Sequence, residues 1–321
     1  MPFKVQVGPQ QVSIHQGQTV LVSEPDGQVN WPSEKGLYFF DTRVISSWAI
    51  YANGEPWDLL NGGAIAHYAS RTYLTNRPVS TSDGIIPPRT LGLIVSRSIS
   101  GGMHEDLDIT NNGMKPVRFQ LEIALRCDFA DIFEVKSGAI VRRGRIATQW
   151  SQAQQRLRTI YRNGDFVRAV TVTPWRGRAE AVYANGRLSF EIGLNPGESW
   201  HCCLLYTLED GERSFAPLDD CVDRHEKSRH AETLADWLRS VLQIRSSNEE
   251  FYRLYRQGLE DGRLRVDPLL PEWLPDLTVL DLRVGRHRFD IRFWRDGRET
   301  QFEVLRGDPK AVERGSVARF A

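Results

Sequence analysis

Three carboxylates that lie close together in the sequence could do acid–base or metal chemistry. Glu105, Asp106 and Asp108 stand in one short segment, and carboxylates of this kind can hold calcium or act as general acid and base. The turn-forming residues 111–113 (NNG) follow shortly after. We therefore expect the three carboxylates to be solvated residues at a strand end before that turn, rather than a calcium or acid–base site.

Two histidines suggest a zinc site, but their spacing argues against one. His225 and His230 stand five residues apart, whereas zinc-binding helices of the zincin type carry histidines four apart, so that both point to one side. At about 3.6 residues per turn, a spacing of five rotates the second side chain about 140° from the first. The other histidines stand singly, without ligand spacing: His15, His67, His104, His201 and His287. The sequence predicts no metal site.

The sequence also predicts no cofactor. It contains no glycine-rich phosphate loop, dinucleotide fingerprint or nucleophile elbow, the motifs that indicate nucleotide cofactors or esterase chemistry. Four cysteines, without a metal-binding CxxC pair, are predicted to be buried reduced thiols: Cys127, Cys202, Cys203 and Cys221. Residues 142–145 (RRGR) are interpreted as a basic hairpin tip.

Three tryptophans are the main indication of a ligand. Trp31, Trp57 and Trp175 each stand next to a proline, in contexts typical of turns rather than of regular strands. An exposed indole face can stack on a sugar ring. The role that we favour for the three is that of buried loop anchors, and carbohydrate binding is the alternative for which we name them as candidates.

The composition is that of a globular protein. Apolar residues make up 40% and charged residues 26% of the chain, as is ordinary for such proteins. Lysine plus arginine and aspartate plus glutamate each number 41, so the chain lacks the positive charge of a general nucleic-acid binder. No apolar run is long enough to span a membrane, and the N-terminus lacks the apolar stretch of a signal peptide. We expect a cytoplasmic protein without nucleic-acid or membrane partners.

The elements that must position these residues are mainly β-strands. Asn-Gly and Asp-Gly pairs, which favour tight hairpin turns, recur along the chain, among them those at Asn53, Asn61, Asn112, Asn163 and Asn185. Short segments with alternating apolar residues lie between them, for example residues 119–125. Residues 194–208 are interpreted as a turn that leads into a strand buried on both faces. This pattern favours an antiparallel β-sandwich over a βαβ fold.

After the predicted sandwich, the spacing of apolar residues changes from that of a strand to that of a helix. Residues 234–242 carry apolar side chains at helical spacing, and a second helix is predicted to begin at Ser247. Proline-rich residues 268–275 predict a linker, and renewed alternation predicts a small β meander that ends at Leu305, before a frayed tail. The predicted fold is mainly β: an N-terminal β-sandwich (1–215), two short helices in a helical linker (216–262), and a C-terminal β segment and tail (263–321).

Two blocks resemble the N-terminal domain of the bacterial amylo-α-1,6-glucosidase (glycogen debranching enzyme-like) family. Residues 36–60 contain the family's Gly-Leu, aromatic residues, Asp-Thr-Arg and Asn-Gly turn, and residues 128–138 (DFADIFEVKSG) match its Asp-Phe-Ala-Asp-x-Phe-Glu-Val segment. The resemblance covers roughly residues 1–260 and implies a β-sandwich. We interpret five residues of these blocks as structural: Asp41, Arg43, Asp128, Asp131 and Glu134. Asp41 and Arg43 would share a strand face and could pair or bond to neighbouring backbone.

The resemblance also implies a difference from the family. Its sandwich leads through a linker helix into a helical toroid that holds the catalytic carboxylates. Here the predicted linker helix (248–259) is followed within a few residues by a stretch that resembles the segment after the toroid. Glycoside hydrolysis by the common route needs two carboxyl groups about 5–10 Å apart. We therefore expect the catalytic domain to be missing, and we assign no catalytic residue.

Three hypotheses for function follow. The first is a non-catalytic carbohydrate-associated protein that binds α-glucan weakly or supports a partner glycosidase. The second is a structural or interaction module that docks a second copy or a separate catalytic chain through the face left by the missing domain. The third is a glycoside hydrolase with a rebuilt site that uses Glu105 or Asp106. A groove with exposed aromatic residues would favour the first hypothesis, an exposed apolar patch the second, and two converging carboxylates the third.

Overall fold

The computed structural model describes residues 10–175, 177, 180–217, 264–266, 275–284, 287–297, 299–309 and 312–314. Its strands are, in chain order, β1 (Val12–Gln16), β2 (Thr19–Ser23), β3 (Gly36–Phe39), β4 (Thr42–Ile45), β5 (Ser47–Ala52), β6 (Glu55–Ala66), β7 (Ala69–Asn76), β8 (Val79–Thr81), β9 (Gly84–Ile86), β10 (Leu91–Ser100), β11 (Gly102–Asn111), β12 (Val117–Arg126), β13 (Ala130–Asp131), β14 (Arg145–Ser151), β15 (Arg156–Asn163), β16 (Phe166–Trp175), β17 (Val182–Ala184), β18 (Arg187–Leu194), β19 (Ser199–Asp210), β20 (Arg213–Phe215), β21 (Leu264–Val266), β22 (Asp276–Val284), β23 (His287–Asp296), β24 (Glu299–Arg306) and β25 (Val312–Arg314). The helix α1 spans Ile132–Ser137.

The chain divides into two compact units, Met1–Glu226 and Lys227–Ala321. The described strands of the first unit form a five-stranded sheet (order β1-β2-β3-β4-β13), a 13-stranded sheet and the β8–β9 hairpin. The order in the large sheet is β14-β15-β16-β19-β11-β10-β7-β6-β5-β12-β18-β17, with β20 beside β19. The predicted mainly β fold with an antiparallel β-sandwich is therefore confirmed.

Alternation along the strands builds the core of the first unit. In β10, Leu91, Leu93 and Val95 are buried, whereas the residues between them are partly exposed, because successive side chains point to opposite faces of a sheet. The buried face of β10 belongs to one apolar cluster that extends through most of the unit. A hydrogen bond of 3.0 Å from Trp48 Nε1 to the Tyr206 hydroxyl also crosses this core.

Two predicted Asn-Gly turns have the backbone that their sequence favours. Asn53 and Gly54, between β5 and β6, have φ of 47° and 81°, and Asn185 and Gly186, between β17 and β18, have φ of 51° and 77°. Positive φ at both central residues is what a type I′ hairpin requires. The pair at Asn61 is different, because it lies inside β6 rather than in a turn.

The large sheet curls until its two end strands approach each other. The turn after β14 is tied to the segment before β17 by the amides of Gln152 and Gln155. Gln152 Nε2 donates to the Ala181 carbonyl at 3.1 Å, and the Ala181 amide donates to Gln155 Oε1 at 2.7 Å. Among the described strands, no ladder joins β14 to β17. We call this gap between the two end strands the seam.

The second unit contains the predicted meander, β22-β23-β24, around buried Phe289 and Ile291. The prediction of a frayed tail after Leu305 is wrong, because β24 ends at Arg306 and β25 then pairs in parallel with β21. The predicted helices within 216–262, the histidines at 225 and 230, and the proline-rich linker up to residue 274 lie outside the described residues.

In the described part of the chain, no helix has the length and apolar character needed to cross a bilayer.

Candidate functional site

Five neighbouring strands of the large sheet place polar and aromatic side chains on the face opposite the core. The strands are β7, β10, β11, β19 and β16. We call this side of the sheet the polar face and define it by Arg71, Tyr73, Ser96, His104, Asp106, Asp108, Thr173, Trp175, His201 and Cys203. His104 and Cys203 are buried there. The pairing register brings them together: Asp106 lies opposite Cys203, and Asp108 lies opposite His201.

The centre of the polar face is a network of two histidines and two aspartates. His201 Nδ1 lies 3.0 Å from Asp108 Oδ1, and His104 Nε2 lies 3.0 Å from Asp106 Oδ1. His201 Nε2 is 3.8 Å from the same Asp106 oxygen, so this carboxylate lies between the two rings. Asp106 and His201 are both partly exposed. Carboxylates accept and imidazoles donate or accept hydrogen bonds, so the network contains both functions.

Two exposed aromatic side chains flank this network. Trp175, at the end of β16, is 47% exposed and lies opposite Cys203. Tyr73, on β7, is 39% exposed and lies opposite Ile94 of β10. Four strand spacings separate the two strands, which corresponds to about 19 Å across the sheet. The polar face thus has an aromatic surface at each side of its hydrogen-bonding centre.

The donor atoms of His104, Asp106 and Cys203 lie within 4.8 Å of one another. Cys203 is disulfide-bonded, however, and metals bind the thiolate. The two remaining donors are too few for a closed zinc site, so we assign no metal to this cluster. The prediction of reduced thiols is wrong for Cys203, whereas Cys127 and Cys202 are free.

His104 and His201 stand singly in the sequence, but the fold brings their rings together. Antiparallel pairing of β11 with β19 brings both rings to one carboxylate although they are far apart in the sequence. Single-sequence periodicity marks both segments as strands but carries no information about which strands pair. No sequence signal that we used could have found this network.

The prediction that the carboxylates at 105–108 lie at a solvated strand end is also wrong, because they lie in the middle of β11. Glu105 is fully buried on the core side, where its Oε2 lies 2.6 Å from Arg97 Nε. Its Oε1 accepts a hydrogen bond of 2.9 Å from Tyr206, and the Arg97 guanidinium lies 4.2 Å from the Trp48 ring centroid. Burial, and then the neighbouring Glu105 carboxylate, raise the pKa of Tyr206 well above its ordinary value.

The three candidate tryptophans occupy different environments. Trp31 is 57% exposed in the loop between β2 and β3, and Trp175 belongs to the polar face. Trp57 lies within β6, is 3% exposed and belongs to the apolar core. The turn context interpreted for Trp57 is therefore wrong, but its burial agrees with the favoured role of an anchor, and its ring is not available to stack on a ligand.

The residues that carry the family resemblance form a buried ion pair. Arg43 is buried, with its Nη2 2.5 Å from Asp128 Oδ2 and its Nη1 donating to the Ser33 carbonyl at 2.5 Å. Asp41 instead lies exposed in the turn between β3 and β4. Of the two alternatives, Arg43 bonds to neighbouring backbone, and its ionic partner is not Asp41 but Asp128, from the second block of resemblance.

The rest of the second block caps α1. The Asp131 carboxylate accepts a hydrogen bond of 2.8 Å from the Phe133 amide, and Glu134 Oε2 accepts one of 3.3 Å from the Asp131 amide, which together form a capping box. Arg143 Nη1 lies 2.5 Å from Glu134 Oε1. Residues 142–145 are thus the end of the loop from α1 and the start of β14, not a hairpin tip as interpreted from sequence.

With the sandwich and its polar face described, the comparisons with known proteins identify the class of domain. Residues 14–205 match the family described as the N-terminal domain of (some) glycogen debranching enzymes. This match covers more than half of the chain, and the chain belongs to that family. A search of curated proteins finds no match.

Two solved structures are among the similar chains. One is a candidate aldose 1-epimerase from Escherichia coli K12, with 10% identity, a TM-score of 0.38, and coverage of 63% of this chain and 99% of that chain. The other is a galactose mutarotase related enzyme from Lactobacillus acidophilus, with 8% identity, a TM-score of 0.32, and coverage of 64% and 99%. Scores this low support no conclusion about function.

Proposed function

We propose that this domain is a non-catalytic carbohydrate-binding module whose polar face binds α-glucan. The observation that carries the proposal is the placement of exposed Trp175 and Tyr73 on the same face as the network of Asp106 and His201. Family membership supports the substrate class, because glycogen is an α-glucan and the family occurs at the N-terminus of debranching enzymes.

The recognition would use two kinds of contact. The indole of Trp175 would stack on the apolar face of a glucose ring, and Asp106 and His201 would exchange hydrogen bonds with its hydroxyl groups. An exposed stacking surface beside a few fixed polar groups favours weak, reversible binding of an extended polymer. Binding without hydrolysis is favoured because Glu105, one of the two carboxylates suggested for hydrolysis, is fully buried and paired with Arg97.

Native gel electrophoresis with and without glycogen cast in the gel tests the proposal. We expect glycogen to retard the protein, and we expect Trp175→Ala to remove most of the retardation. Phe133→Ala is the matched control, because Phe133 is a 76% exposed aromatic residue on α1, outside the polar face. Trp31→Ala tests whether this exposed tryptophan is a second contact. Unchanged mobility of the wild-type protein would refute the proposal.

A second candidate function is docking to a second copy or to a separate catalytic chain. It is favoured by the exposed apolar side chains of Phe133, Ile140, Val141 and Phe166 on and around α1, since exposed apolar patches favour association. Light scattering that gives the mass of a monomer would count against self-association. The cytoplasmic location and the lack of nucleic-acid and membrane partners stay predictions.

A further inference from the structure

The seam of the large sheet contains a cavity of about 230 Å³. On one side it is lined by core-facing residues of β14, β15 and β16, which include Thr148, Thr159 and Val170. On the other side lie Cys127, just after β12, and Tyr183 of β17. The cavity is separate from the polar face, because these side chains belong to the opposite face of the sheet.

The incomplete closure of the sheet accounts for this cavity. Paired strands lie about 4.8 Å apart, so their core-facing side chains fill the space between them. At the seam no ladder joins the described strands β14 and β17. Hydrogen bonds between the side-chain amides of Gln152 and Gln155 and the backbone of Ala181 bridge it instead. The side chains of the two end strands therefore diverge and leave an open mouth, a place where β-barrels commonly bind ligands.

The lining of the cavity combines aliphatic side chains with hydroxyl groups. Leu157 and Val170 supply buried aliphatic surface. The Thr148 and Thr159 hydroxyls lie 3.0 Å apart and satisfy each other. The Tyr183 ring packs at a tilt against Trp150, with 6.0 Å between ring centroids. The Tyr183 hydroxyl has no hydrogen-bond partner among the residues that the structure describes. It is therefore a donor available to a ligand.

Among the described residues that line the cavity, no carboxylate offers a countercharge to a cation. Arg126 is the charged residue of its lining, but its side chain is exposed, whereas the neighbouring Leu125 and Cys127 pack against the core. Burial raises the pKa of the Cys127 thiol to about 12, so this sulfur is neutral at ordinary pH. Since burying an unpaired charge is costly, a neutral ligand is favoured.

We infer that the seam cavity binds a small neutral molecule with an apolar body about the size of one aromatic ring and one hydrogen-bond acceptor, which takes a hydrogen bond from Tyr183. The size follows from volume: an apolar cavity of about 150 Å³ accommodates benzene, and this one also has room for a short substituent. The inference goes beyond the proposed glycan binding and does not depend on it.

Titration calorimetry with two probes of similar size, acetophenone and toluene, tests the inference. We expect the wild-type protein to bind both, acetophenone more tightly because only its carbonyl can accept a hydrogen bond from Tyr183. Tyr183→Phe should lower the affinity for acetophenone about fivefold, the equivalent of one hydrogen bond, and leave toluene unchanged. If the variant does not change the preference between the probes, the role assigned to Tyr183 is wrong.

An occlusion experiment tests the location. Thr148 is an exposed residue at the mouth, so Thr148→Phe should block both probes without overpacking the core. Gln149→Phe is the matched control, because it adds the same side chain to the opposite face of the same strand. No binding of either probe to the wild-type protein, or undiminished binding to Thr148→Phe, would overturn the inference. Glycogen should retard Thr148→Phe and Gln149→Phe equally in the native gel. The result of this test is therefore independent of glycan binding at the polar face.

Discussion

At the residue scale, Glu105 and Asp106 have different surroundings because neighbouring side chains of a strand point to opposite faces. Asp106 reaches the polar face, whereas Glu105 lies in the core against Arg97 and Tyr206. Both side chains are carboxylates, but only Asp106 is partly exposed and placed to contact a ligand. Sequence alone gives the acidic cluster and leaves open which of its members points outward.

We predict that Glu105→Gln lowers the free energy of unfolding by about 3–5 kcal/mol, because it leaves the buried Arg97 guanidinium without a countercharge. Urea unfolding followed by tryptophan fluorescence measures the change. Asp58→Asn is the control, since the Asp58–Arg77 pair is half exposed and should contribute less than about 1 kcal/mol. Equal effects of the two substitutions would contradict the prediction.

At the element scale, α1 depends on its end residues more than on its length. It spans only six residues, and isolated helices of such length are unstable in water. The Asp131–Glu134 capping box satisfies its first amides, and Gly138, with φ of 69°, ends it in the left-handed region. The short helix thus presents Phe133 to solvent at a fixed position.

Asp131→Ala should therefore destabilise the protein by about 1 kcal/mol, the usual contribution of an N-cap side chain. Asp131→Asn should retain most of the stability, because asparagine also caps helices well. The difference between the urea unfolding midpoints of Asp131→Ala and Asp131→Asn measures the effect of the cap alone. A loss of similar size in both variants would indicate that the charge of Asp131, rather than its capping hydrogen bond, stabilises α1.

The elements also show what could be predicted from the sequence. Strand periodicity and the turns at Asn53 and Asn185 are local properties, and both were predictable. The partners of Arg43 and His201 were not, because Asp128 and Asp106 reach them only through the pairing of distant strands. The two aromatic residues of the polar face illustrate the same limit: the sequence singled out Trp175 for its proline neighbour, whereas Tyr73 became a candidate only through its position in the sheet.

At the scale of the whole molecule, the first unit combines two separate surfaces. The polar face, on the side away from the core, fits a polymer that lies across several strands. The seam cavity, on the core side, fits a single small molecule. One curled sheet provides both, because each strand contributes alternate residues to its two faces.

The open seam also determines where the native protein should first exchange its amide hydrogens. A sheet closed by a continuous ladder has no end strand from which to unfold, whereas this sheet has two, β14 and β17, held at the seam by side-chain amides. We expect amides of β14 and β17 to exchange with deuterium faster than those of the central strands β10 and β11, and Gln155→Ala to widen the difference. Equal protection of end and central strands would show that the sheet opens only as a whole. If the end strands do open first, the walls of the seam cavity loosen before the rest of the domain unfolds.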